Sequence, residues 1–115
     1  MNVGLSYIDG ILGAMRTAAQ SLARISHLVS ASEKTNAVAW KWQLLSAAEG
    51  ARADCERDLR GAEQQLASLG APGRLPQPLD ALPDRIQAMR SELERASQAI
   101  VESRDRAARV SAGQA

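Results

Sequence analysis

The chain holds a single histidine, His27, and a single cysteine, Cys55, among 115 residues. An imidazole can move protons near neutrality or ligate zinc, and a thiolate can act as a nucleophile or a metal ligand. Each use needs a second group at a fixed offset. No second ligand stands within a helical turn of His27, so it reads as a boundary or surface histidine. Its sharper alternative is a pH sensor near a helix C-terminus, where the dipole favours the charged form. The helical neighbours of Cys55 are Arg52, Asp58 and Leu59. With no base among them, Cys55 reads as a small buried hydrophobe.

The carboxylates do not gather either. Acidic residues alternate with arginines, Glu92 and Glu94 fall on different faces of a helix, and no Glu-x-x-His pair or Asp-rich loop is present. Glycines occur singly, so no phosphate-cradling loop can be drawn. These patterns assign no catalytic, cofactor-binding or metal-binding residue and predict a protein that is not an enzyme. No cofactor and no small-molecule substrate is expected.

What remains is docking chemistry. In Ala39-Trp40-Lys41-Trp42 the two indoles stand two positions apart, which on a helix separates them by about 200°. One must turn inward and the other outward, and Trp is enriched among interface anchors. Trp40 and Trp42, with Ile100, Ala107 and Val110 further along, are the candidate partner-binding residues. Arg104, Arg106 and Arg109 make a small basic end with Arg95 nearby, but acids interleave them and no aromatic accompanies them for base stacking. Cations there also complement a helix C-terminus. With 14 basic against 13 acidic residues and a net charge of +1, bulk charge argues against a nucleic-acid partner and gives little reason for a membrane one.

The elements that must position these residues are helices. Leu82, Ile86, Met89, Leu93, Ala96, Ile100, Ser103, Ala107 and Val110 step in an unbroken 4-3-4-3 rhythm, a heptad seam of about eight turns. Upstream, Leu5, Ile8, Leu12, Met15, Ala19, Leu22 and Val29 fall at a/d spacing, and Ile11, Ala18, Ile25 and Leu28 widen that stripe on one side. This first helix should touch two neighbours. Its outer face is poor in charge, and Gly4, Gly10 and Gly13 lower its intrinsic propensity by roughly 1 kcal/mol each. Between the two, Leu44, Ala48, Ala51, Cys55, Leu59, Ala62, Leu66 and Leu69 predict a shallow, alanine-lined inner stripe.

Boundary signals are local. Ser30-Ala31-Ser32-Glu33 reads as a capping box that opens the second helix, with Asn36 a second entry point. Gly70 suits a helix C-terminus, and the prolines that follow forbid helix. Asp80 suits an N-cap, with Pro83 in the first turn behind it. Three i,i+4 pairs are expected: Glu56–Arg60, Glu102–Arg106 and Asp105–Arg109.

The fold class predicted is therefore all-α: a three-helix bundle, or a long antiparallel helical hairpin with an additional N-terminal helix, in coiled-coil-like packing. It forms a single domain over residues 1–115, with helices at about 3–29, 32–69 and 80–110, a Gly/Pro linker at 70–79 and a frayed tail at 111–115. The preferred arrangement is a hairpin of the second and third helices with the first laid against it.

Alanine is abundant, Phe is absent, and all the cations but Lys34 and Lys41 are Arg, a composition that suits a GC-rich bacterial genome. The N-terminus lacks a basic stretch before an apolar run, and no uncharged run of 18 apolar residues occurs. Cytoplasmic residence is expected, with signal-peptide-independent export open.

A mid-chain tryptophan, an alanine-rich amphipathic first helix and a length near 100 residues resemble the small helical-hairpin substrates of type VII secretion, the WXG100 group. The resemblance covers roughly residues 5 to 69. That family's Trp-x-Gly turn would need Gly where this chain has Trp42, and no Tyr-x-x-x-Asp/Glu export signal follows. No functional residue is carried over. Small helical chaperones and stalk or rod accessories of type III and flagellar export resemble the chain equally in size and texture, with no shared motif.

The function expected is that of a non-enzymatic helical interaction protein: an adaptor, export-type chaperone or assembly subunit presenting a helix face to a protein partner or to itself. The alternative is a small secretion-associated helical protein with a membrane-active or pore-accessory N-terminal helix. Weak nucleic-acid binding comes third.

Overall fold

The structure is a computed structural model that describes residues 3–70, 75 and 79–113. It is all-α. Helix α1 spans Val3–Lys34, α2 spans Val38–Leu69, and α3 spans Leu82–Gly113 behind a 3-10 turn at Leu79–Ala81. They form an elongated bundle of 64 × 22 × 17 Å. The side chain of Leu5, linker residues 71–74 and 76–78, and tail residues 114–115 lie outside the described residues. Helix α3 reaches Gly113, past the predicted end at Val110.

The two tightest neighbours are α1 and α2, not α2 and α3 as the sequence predicts. Small residues explain the difference. Ala48, Ala51, Cys55 and Ala62 of α2 are buried, and α1 meets them with Gly10 and the fully buried Ala18. The Cys55 thiol lies 3.6 Å from the Ala18 carbonyl oxygen, so a side chain of one helix rests on the backbone of the other. At Gly10 an added Cβ would meet the end of the Gln65 side chain. Two faces lined with small residues approach more closely than either does to the leucines and isoleucines of α3, and short separations favour dispersion.

This pairing also turns the inner face of α1 toward Ile11, Ala18 and Ile25. Its buried residues are Ile11, Met15, Ala18, Ile25, Val29 and Ser32, while Leu12 is 39% exposed and Ala19 faces solvent. Met15 and Val29 of the predicted row are buried together with Ile11, Ala18 and Ile25, the residues expected to widen it, whereas Leu28 is half-buried. In α2 the stripe likewise begins at Leu45 in place of Leu44. Helix α3 follows its predicted seam more closely: Leu82, Ile86, Leu93, Ile100, Ser103 and Ala107 are buried.

The α1–α2 connection falls at Thr35–Ala37, and the Ser30–Glu33 capping box does not form. The Ser32 hydroxyl, buried, donates back to the Val29 carbonyl at 2.7 Å, and Glu33 turns toward α3. Helix α1 gains its end from another source. The Lys41 ammonium of α2 donates to the Ser32 carbonyl at 2.9 Å, a cation at a helix C-terminus where the dipole favours it. Ala37 stands at the N-cap of α2 with no side-chain hydrogen bond. Gly70 ends α2 at φ 128°, a conformation that L side chains rarely adopt. Asp80 lies in the 3-10 turn, and partly buried Leu75 and Leu79 pack against the core at this end.

Candidate docking surface

Polar clasps join α3 to the α1–α2 pair. Nε of Arg90 lies 3.0 Å from both carboxylate oxygens of Glu63, and Nη1 lies 2.9 Å from Glu56. The two carboxylates hold the guanidinium firmly charged, Glu63 most strongly, and Arg90 draws the Glu56 carboxyl below its ordinary 4.5. Toward the other end, the Ser103 hydroxyl donates to Glu33 at 2.9 Å, and Arg106 pairs with the same carboxylate. Ser103 breaks the apolar seam because it serves this clasp: it is buried, and its hydroxyl both donates to Glu33 and accepts from Arg106 at 3.1 Å.

Two predicted surface pairs give way to these contacts. Arg106 turns to Glu33, and Glu102 accepts from Gln98 in its place. Arg109 reaches the Asp105 carbonyl, at 3.5 Å, without forming an ion pair with its carboxylate. Glu56–Arg60 forms as expected, at 3.2 Å.

The Ser103 hydroxyl, chiefly, and the Arg106 guanidinium hold Glu33 below 4.5. With Glu56 it gives the fold a sign-definite pH response. A carboxylate whose pKa falls on folding contributes stability fully present above its unfolded value and lost as pH drops through the folded one. Stability measured by urea unfolding should hold constant from pH 7 to about 5 and fall below about 4.5. The slope should be shallow, since both groups keep part of their surface in solvent, and shallower still in the Glu33→Gln, Glu56→Gln double variant.

The candidate docking residues separate into two sets. Ile100 and Ala107 are 1% and 3% exposed; their surfaces are used within the chain, which removes them as direct contacts. Trp42 is partly buried against the core. Trp40 is 60% exposed on the outer side of the first turn of α2, and Val110 is 43% exposed. Val110 edges a cleft of about 340 Å³ at this end, along with Ser32, Glu33, Lys41, Leu45 and Arg106.

His27 is exposed on α1. Cys55 is fully buried, and burial, reinforced by Asp58, pushes its thiol up to about 11, which makes it a poor nucleophile at neutral pH. Among the described residues no group of three His, Cys, Asp or Glu side chains could hold a metal ion, and no helix is long and apolar enough to cross a membrane.

A further opening is one that the sequence does not signal as a site. Helices α1 and α3 pack loosely, leaving a groove of about 500 Å³. Leu22, Ile25 and Val29 of α1 and Ala96 and Ala99 of α3 form its floor, and Ser26, Ser30 and Glu33 its α1 lip. Ala96 belongs to the α3 seam read from the sequence, and Ala99 stands beside it. Comparisons with family models, with curated proteins and with solved structures find no match to this chain.

Proposed function

We propose that this chain is a non-enzymatic helical interaction protein, an adaptor, export-type chaperone or assembly subunit that works by presenting helix faces to a protein partner. The observation that carries this reading is Trp40. An indole 60% exposed loses much of the benefit of its apolar area in the free chain and recovers it when a partner covers it. Its setting supports the same use: Asn36, Ala39 and Gln43, close to it along the chain, are exposed and uncharged, so covering them requires no desolvation of charge.

Site-specific photo-crosslinking tests the proposal. A photoactivatable phenylalanine analogue replaces Trp40 in cells that produce the chain, with the same analogue at exposed Arg57 as the control position. The expected result is a discrete cross-linked protein from position 40 that is absent from position 57 and competed away by excess unmodified chain. No product from position 40, or the same products from both positions, would overturn the reading.

A further inference from the structure

We propose that the open groove between α1 and α3 is filled by α3 of a second copy of this chain, running antiparallel about Ala99. The inference rests on the docking role proposed above and names one partner for one surface.

The occupant follows from the order of charges along the groove. The α3 lip reads Glu92, Arg95, Glu102, Arg106, with Ala96 and Ala99 between them. Glu92 and Arg106 lie seven residues on either side of Ala99, and Arg95 and Glu102 lie four before it and three after it. A second α3 turned end for end about Ala99 therefore sets Glu92 against Arg106 of the other copy, and Arg95 against Glu102. A two-fold axis repeats each pairing, giving four opposite-charge contacts from two kinds. A parallel copy in register sets each charge against itself. Slipping the antiparallel copy by one heptad toward the N-terminus places Arg106 opposite Arg85. Of these arrangements only the antiparallel one about Ala99 pairs opposite charges throughout, as charge patterns flanking a seam do in coiled coils.

Shape agrees with charge. Ala96 and Ala99 at the centre allow two helices to approach, and the α1 lip offers the Ser26 and Ser30 hydroxyls, with the charge of Glu33 already held by Ser103 and Arg106. Beyond the charged residues, the register brings Val110 opposite the exposed Ala88 of the other copy, covering apolar surface that is now open. The contact runs from Ala88 to Val110, about 33 Å at 1.5 Å per residue. Arg106 need not release Glu33, because a guanidinium carries five N–H donors and can serve two carboxylates.

Sedimentation over a wide concentration range, at low and high salt, tests this on the full chain. The expected result is a reversible dimer that weakens as salt rises. Arg95→Glu alone and Glu102→Arg alone each place like charges together twice and should weaken association about tenfold. The double swap restores opposite charges and should recover the original affinity. Both side chains are exposed, and unchanged helicity confirms that each variant is folded. Orientation is read by oxidation: Ala99→Cys should cross-link two copies, whereas Glu92→Cys should not, being about 20 Å from its counterpart by helical rise. A monomer at every concentration, a dimer indifferent to the swaps, or cross-linking at position 92 would each overturn the arrangement. Photo-crosslinking at Trp40 reports on a different surface, so loss of the dimer with capture retained would sink this inference alone.

Discussion

Leu59→Ala should lower the unfolding free energy by about 3 kcal/mol. Leu59 is fully buried and part of the core shared by all three helices. Removing its isobutyl group loses the transfer free energy of the deleted atoms and leaves a void that rigid helices cannot collapse to fill. For a chain of this size the change lowers Tm by more than about 10 °C. Urea unfolding should show a lower midpoint with an unchanged slope, since the surface exposed on unfolding barely alters. A loss below about 1 kcal/mol would mean that Leu59 is not packed as described.

The second large effect has a sign that composition alone would miss. In an ordinary core, Cys55→Leu adds apolar atoms, and each buried methylene favours folding by roughly 0.8 kcal/mol. Here the thiol already lies 3.6 Å from the Ala18 carbonyl oxygen, so the added carbons meet backbone that no rotamer change can move. The helices must separate, and separation affects every contact between the small-residue faces. Cys55→Leu should therefore destabilise by about 1–3 kcal/mol. A gain in stability would show that α1 and α2 are less closely apposed than described.

The same close apposition explains where sequence reading succeeds and where it stops. Helix α3 carries one apolar row, and that row is the one buried from Leu82 to Ala107. Helix α1 carries two adjacent rows at heptad spacing, through Leu12 and Ala19 or through Ile11, Ala18 and Ile25. Periodicity treats them alike. The alanines and Cys55 of α2 decide between them, and that is a property of the pair. The Ser30–Glu33 motif fails for a related reason: a capping box is a local preference worth about a kilocalorie, and Glu33 finds Ser103 and Arg106 across the bundle. The divergence of Trp40 and Trp42 is legible because helix geometry alone requires it. The groove is not, because an opening is defined by how two helices fail to meet.

The three-residue connection at Thr35–Ala37 also bears on the order in which the chain assembles. It joins the two most closely packed helices through contacts near in sequence, so the hairpin can form early at little loop-closure cost. Helix α3 arrives through a longer tether and rests on a looser surface. Unfolding should therefore be graded, with α3 departing from an intact α1–α2 pair. Native-state hydrogen exchange would register this as α3 amides opening at lower free energy than those around Ala18 and Cys55; uniform protection across the three helices would contradict it. A bundle that lets go of one helix before the others can expose a long apolar stripe without unfolding.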